Sequence, residues 1–317
     1  MHFFDAHCDI LSAIYNPREL LSNKRHWDVE RALSNGPFFQ VFSLFAEDGS
    51  PGTRKKRMED QLEMVHEAER LYPEKLKMVR SIGDLDEWLN KKDVNQVRYM
   101  IEAEGAEILG ESLEELDRLY DRGLRILTLS WNYDNAVCDS VAGQNTHNGL
   151  SEFGRQVVER AESLGIIIDL SHCSDKTFSD VEEIAAKPFI ASHSNSRTLC
   201  KHRRNLTDSQ IISIAKRGGI IGINLFPPFL TDSGNALILD IIRHIEYISA
   251  LVGISYVGFG FDFDGIGYAP EAIRGVEDTI KVAEALLRLN YSEESVKGIT
   301  GLNFAGLMRR ILSGCDN

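Results

Sequence analysis

The sequence predicts an α/β fold, a (β/α)8 barrel of the TIM type with a polar, metal-binding site at the C-terminal ends of its strands. Three observations predict it. Eight short apolar runs alternate with amphipathic stretches along 317 residues, five of those runs end in His, Glu or Asp, and no Gly-x-Gly-x-x-Gly follows an early run. Strand–helix alternation calls for a parallel sheet, and eight strands is the number that closes a barrel. The missing glycine fingerprint weakens the rival, an open dinucleotide-binding sheet.

The apolar runs are Met1–Ala6, Phe38–Phe45, Val97–Ile101, Leu124–Leu129, Gly165–Leu170, Pro188–Ala191, Gly219–Leu225 and Tyr256–Phe261. Each is too short for a helix, and most are rich in Ile, Val, Leu or Phe, as buried parallel strands are. Between them lie helical patterns. Arg54–Tyr72 carries Met58, Leu62, Val65, Ala68 and Leu71 among charges, and Leu113–Arg122, Glu152–Leu164, Asp175–Ala186, Thr207–Arg217, Ala236–Val252 and Ile273–Leu289 follow. Thr207 and Gln210 have the spacing of a capping box. The stretch Glu293–Leu312 predicts extra helices packed on the barrel, so residues 1–317 read as one domain with C-terminal helices at about 293–313.

Composition narrows the function. Apolar residues make up 43% and charged residues 26%, the balance of a globular protein with a large core. A net charge of −13, from 48 acidic and 35 basic residues, repels phosphate backbones and anionic lipid. No nucleic-acid or membrane partner is expected, and no apolar run approaches a membrane span. The five cysteines, Cys8, Cys138, Cys173, Cys200 and Cys315, are scattered without Cys-x-x-Cys spacing. They read as reduced thiols, and the absence of a leader-like or lipid-anchor segment agrees with a cytoplasmic protein.

The run ends carry the chemistry. The first ends in His7 and Asp9, the third in Glu102-Ala103-Glu104-Gly105, the fifth in Asp169-Leu170-Ser171-His172, the sixth in Ser192-His193-Ser194 and the eighth in Asp262-Phe263-Asp264-Gly265. Any one of these reads alone as a turn or a strand-end hydrogen bond. In a barrel all of them face one mouth, where three imidazoles and several carboxylates form a nitrogen and oxygen ligand set for two divalent ions. Cys8 and Cys173, as neighbours of these residues, point away and read as packing groups.

These motifs resemble the membrane (renal) dipeptidase family of binuclear zinc peptidases, within the amidohydrolase superfamily. The likeness runs almost end to end. It includes Asp5-Ala6-His7-Cys8-Asp9, Glu104-Gly105-Ala106, Asp169-Leu170-Ser171-His172, Ser192-His193-Ser194, Arg204-Asn205-Leu206-Thr207-Asp208 and Gly258-Phe259-Gly260-Phe261-Asp262-Phe263-Asp264-Gly265. The resemblance implies two divalent metal ions, with zinc the first expectation. His7, Asp9 and Glu104 would hold one, and Glu104 would bridge to a second held by His172 and His193. Glu104, not Glu102, takes that role because it directly precedes the glycine. Arg204 would clamp the terminal carboxylate of a dipeptide, Asp262 would carry the proton, and Asp264 would be structural. The activity implied is hydrolysis of small dipeptides by a hydroxide bridging the two ions, and a homodimer is compatible with the family. One position departs: where membrane-anchored members carry a histidine that polarises the substrate carbonyl, this chain reads Ser130-Trp131-Asn132-Tyr133, which makes Trp131 and Asn132 candidate substrate-binding residues. Two rivals remain at this point. One is an amidohydrolase for another small amide, such as an N-acyl amino acid, a D-residue dipeptide or a lactam. The other is a catalytically silent scaffold.

Overall fold

The computed structural model describes residues 1–90 and 95–313; Cys315, counted among the thiols above, lies outside them. Seven strands form a curled parallel path: β1 (Phe3–Cys8), β2 (Phe38–Leu44), β4 (Val97–Glu104), β5 (Leu124–Thr128), β6 (Ile167–Asp169), β7 (Ile221–Ile223) and β8 (Val257–Phe259), with β3 (Leu76–Met78) beside β4. The spatial order is β6-β5-β4-β2-β1-β8-β7. The expected strand at Pro188–Ala191 is not a regular strand. It supplies only two parallel bridges, Asp169 to Ile190 and Ala191 to Ile221, yet these join β6 to β7 and close the ring at eight staves. On the β6 side its pairing stops because the Ser192 backbone N–H donates to Asp169 Oδ1, while on the β7 side the Ser194 N–H still donates to the Gly222 carbonyl.

Two elements carried no readable signal. The strand β3 has only three residues with Lys77 at its centre, and it pairs with Val97–Tyr99 of β4, the stretch that β5 leaves free. The helix Ile82–Asn90 buries Leu85 and Trp88 in the core, with Ile82 and Leu89 packed at its edge. The helix expected over Ile273–Leu289 begins only at Thr279, because the Asp278 carboxylate accepts from the Arg274 backbone N–H and turns the chain first. Elsewhere the helices match closely: Pro51–Leu71, Leu113–Asp121, Glu152–Leu164, Asp175–Ile184, Asp208–Lys216 and Ile238–Val252. Thr207 and Gln210 form the expected capping box, and the C-terminal stretch folds as Glu293–Lys297, a π turn and Asn303–Ser313. Among the described residues no helix is long and apolar enough to cross a membrane.

The barrel interior is a packed core. Phe4, Ala6, Phe39, Val41, Met100, Ile126, Ile167, Ile190 and Ile220, from successive staves, form one buried cluster. Trp88 and Phe304 plug its lower end, with Phe304 stacked on Phe4 at 5.2 Å and Phe39 on Phe4 at 4.3 Å. Aromatic burial on this scale leaves the lower barrel no room for solvent. Above this floor the interior residues become polar, and there the site begins.

Candidate metal centre

One irregularity in β1 aims the first ligand candidate. Between Asp5 and Cys8 the strand carries one residue more than β2 opposite it, where Gln40 and Phe42 pair. Such a bulge breaks strict alternation. Ala6 stays in the inner cluster and His7 also turns inward, reaching Glu102 of β4. Asp9 lies beyond the strand, at the start of a short helix, and its Oδ2 comes within 3.2 Å of His7 Nε2. The two residues do share a side, through a bulge and a turn rather than through alternation.

Five predicted ligands converge here. Glu104 sits between two groups: its Oε2 is 3.8 Å from His7 Nε2, and its Oε1 is 3.0 Å from His172 Nε2 and 3.5 Å from His193 Nε2. His172 Nε2 and His193 Nε2 are themselves 3.0 Å apart. Asp262 joins from the end of β8, its Oδ1 3.9 Å from His7 Nε2 and its Oδ2 accepting from Asn224 Nδ2 at 2.8 Å. His172 and Asp262 hold left-handed backbone conformations, φ 67° and 62°, sparsely populated for residues other than glycine and often found at functional sites. A Cβ at Gly265 would fall 2.2 Å from both Asp262 Oδ1 and Asp9 Oδ2, so any larger residue would push these two carboxylates from their places. Asp264 faces away and accepts from the backbone N–H groups of His26 and Trp27, which makes it structural.

The outer nitrogens fix which atoms face the centre. His7 Nδ1 donates to Glu102 Oε2 at 2.8 Å, and His172 Nδ1 to the Asn132 side-chain carbonyl at 3.1 Å. Ser192 Oγ donates to Asp169 Oδ2 at 2.5 Å, so it accepts from His193 Nδ1 at 2.7 Å. Each ring therefore turns a bare Nε2 inward. Burial holds His172 and His193 well below the usual imidazole range, with nearby Arg204 and His7 adding to the effect. Lone pairs and carboxylate oxygens then meet, with only protons taken up by the cluster to separate them, and Asp9 Oδ1 is buried without a partner. Without a cation such a site is strongly unfavourable. Burial pushes Glu104 well above the usual carboxylate range, with Asp9 reinforcing it, and raises Asp262 to about 7. His7 is pulled up against the effect of its burial by Glu102, Asp9 and Glu104. The cluster is short of positive charge, and the donor set of three imidazoles and two or three carboxylates suits divalent cations.

A cavity of about 540 Å³ opens above these groups, lined by Trp131, Asn132, His202, Arg204, Phe229 and Ile266 among others. Trp131 packs at 4.9 Å from Phe45 and 6.2 Å from the His172 ring and lines the cavity. Asn132 lines the cavity too, with its carbonyl engaged by His172. Arg204 is buried, its Nη1 3.4 Å from Ser194 Oγ, while Nε and Nη2 have no partner. Its loop is fixed by Arg197, which makes a two-pronged contact to Asp175 at 2.8 and 2.9 Å and donates to the carbonyls of Asn205 and Arg203.

Several contributors carry no motif of their own. Glu102 is visible two residues before Glu104, on the same strand face, while Asn224 and His244 sit in ordinary apolar contexts with no local signal. His244, on the helix Ile238–Val252, accepts from the Ser196 N–H at 3.1 Å and donates to the Leu230 carbonyl at 3.0 Å, pinning the strand-end loop that precedes Arg204. Burial lowers its pKa, so the fold favours the neutral ring. The stability this adds is complete above the unfolded value of about 6.5 and is lost as pH falls below it toward the folded value. His244→Gln should cost about 1–2 kcal/mol near neutral pH. That difference should shrink on acidification in denaturant melts, and a pH-independent difference would remove this role.

The same arrangement of strands and strand-end residues has relatives. The family model of the membrane dipeptidases, peptidase family M19, matches residues 1–313. This chain belongs to that family. Among relatives of this metallopeptidase is an uncharacterized dipeptidase of Schizosaccharomyces pombe, 30% identical over 297 residues, which are 88% of this chain and 70% of that protein. The dipeptidase tcpJ of Claviceps purpurea is 28% identical over 327 residues, 98% of this chain and 75% of its own. The crystal structure of a metallopeptidase from Rhodobacter sphaeroides, liganded with a phosphinate mimic of the dipeptide L-Ala-D-Ala, superposes with a TM-score of 0.89 at 25% identity, over 98% of this chain and 99% of that one. These M19 neighbours share the TIM-type barrel seen here.

Proposed function

We propose that this member of the dipeptidase family hydrolyses the peptide bond of small dipeptides at a centre of two divalent cations, zinc first among them. The observation that carries the reading is the convergence of three bare imidazole nitrogens on Glu104, whose two oxygens face different histidines. His7, Asp9 and Glu104 would hold one cation, and Glu104, His172 and His193 the other. Bound there, the cations would supply Lewis-acid polarisation of a carbonyl and a water acidic enough to ionise near neutral pH.

The chain's own residues do the rest. Asp262 takes the proton of the attacking water on Oδ1 while Asn224 holds Oδ2, then returns it to the leaving amine. The unpaired donors of buried Arg204 receive the substrate's terminal carboxylate. A cavity of about 540 Å³ holds a small substrate, and a carboxylate clamp at Arg204 favours a chain that ends there. Trp131 lines the cavity where a histidine would polarise the carbonyl, so substrate stereochemistry and the nature of the amide are the open variables. In the same reading the chain is one barrel domain working in the cytoplasm; all four described cysteines are free, as reduced thiols are.

The test is metal analysis of the purified protein with a substrate panel of L,L-dipeptides, L,D-dipeptides and N-acyl amino acids. The L,D arm is included because the Rhodobacter sphaeroides neighbour holds an L-Ala-D-Ala mimic. Two equivalents of metal with turnover of free dipeptides are expected. Metal without any dipeptide turnover would move the assignment to another small amide, and neither metal nor turnover would leave a silent scaffold.

A further inference from the structure

Beneath the centre lies a second, fully buried polar layer that touches neither cavity nor substrate. His7 Nδ1 bonds Glu102 Oε2 at 2.8 Å, and Glu102 Oε1 lies 2.5 Å from Thr128 Oγ1. Thr128 Oγ1 lies 2.7 Å from Asp169 Oδ2, which is 2.5 Å from Ser192 Oγ, itself 2.7 Å from His193 Nδ1. Every residue in this row is 0% exposed. The row of contacts runs from the outer nitrogen of His7 to that of His193, the rings assigned above to different cations; the single hydroxyl hydrogen of Thr128 serves one carboxylate, and the other link closes through a proton shared on the Glu102 or Asp169 carboxyl. Thr128 is its midpoint, the hydroxyl at which the Glu102 half meets the Asp169 half.

We propose that Thr128 is a positioning residue that ties the two halves of the centre together, so that the two cations are held as a pair. This rests on the metal-centre reading. The physical ground is that outer hydrogen bonds set the orientation and tautomer of ligand imidazoles, and their loss typically weakens metal binding about 10–100-fold. In a buried network each bond depends on its neighbours, so a cut at the midpoint is felt at both ends. Asp169 is further anchored by the backbone N–H groups of Ser171 and Ser192, which makes its half rigid; Glu102 has only His7 and Thr128 among these contacts. The Glu102 end therefore relies on the hydroxyl for its own position.

Thr128→Val removes the hydroxyl at nearly constant shape and suits a strand; Thr128→Ser keeps it. Stepwise binding of Co²⁺ to the metal-stripped full chain, followed by its visible absorption and by chelator competition, reads affinity without turnover. Thr128→Val should weaken both binding steps by about tenfold or more, and Thr128→Ser should restore both. Ser192→Ala provides a second cut that does not depend on how the introduced valine packs: Asp169 keeps its backbone anchors, so this variant should weaken the step at the His193 cation and spare the His7 step. Wild-type affinity in Thr128→Val, loss of a single step in Thr128→Val, equal damage in Thr128→Ser, or the same two-step loss in Ser192→Ala as in Thr128→Val would each overturn Thr128 as the tie between the halves. Failure of the wild-type chain to take up two ions would instead overturn the metal-centre reading itself.

Discussion

Replacement of Asp262 by Asn should leave metal content at the wild-type level and lower kcat by about 10²–10⁴-fold. The substitution is nearly isosteric, and asparagine tolerates the left-handed backbone, φ 62°, that Asp262 adopts. The carbonyl of the introduced asparagine can still accept from Asn224 Nδ2, so the side chain should stay where it is. What disappears is a group able to gain and release a proton. The prediction has a structural rival, because His7, Asp9 and Asp262 also form a cluster close enough to hold an ion. If Asp262 were a ligand, the Asp262→Asn variant would lose metal together with activity. Steady-state kinetics beside metal analysis separates the two: full metal with little turnover supports the proton carrier, lost metal makes Asp262 a ligand, and a kcat within tenfold of wild type gives it no part in the chemistry.

The barrel and most of the ligand cluster are legible in the sequence because both rest on local chemistry. Buried parallel strands must be apolar runs, and a polar residue ending such a run has nowhere to go except the mouth. That logic brings His172, His193 and Asp262 to one mouth even though β6 and β8 are only three residues long. It succeeds for His7 partly by luck, since strict alternation does not describe a strand with a bulge between Asp5 and Cys8. What stays hidden depends on long-range contacts. Nothing local to Thr128 or Ser192 distinguishes them from other strand-end hydroxyls. Their roles come from carboxylates 26 and 23 residues away along the chain. Glu102 and Glu104 look alike as residues of one strand face. The structure gives each its own place, one carboxylate facing the histidine lone pairs and the other supporting a ring from below. His244 is unreadable for the same reason as Thr128: its partner Ser196 is 48 residues distant.

Arg204→Ala should raise KM for free dipeptides on the order of 10²-fold or more, with a smaller effect on kcat. Truncating one member of a buried, hydrogen-bonded charge pair costs roughly 2–5 kcal/mol, and the bound carboxylate would lose its partner in a cavity already rich in acids. Arg204→Lys should fall between, because a lysine restores charge without the two-pronged geometry. The stability of the free protein should change little. Arg204 is a buried guanidinium with Nε and Nη2 unpaired and only a 3.4 Å contact from Nη1 to Ser194. Its desolvation is only partly offset, by the charges of Asp262 and Glu104, until a ligand arrives, so the fold holds it at a cost. An apolar residue of similar length should be better tolerated against the face of Phe229, whose ring centre lies 5.5 Å from the guanidinium carbon. Arg204→Met should thus melt close to wild type while binding dipeptide poorly. Thermal melts of the free protein beside KM for free and carboxyl-amidated dipeptides check both halves. An unchanged KM, or an equal loss for the amidated substrate, would free Arg204 from the clamp and leave its unpaired donors without a purpose.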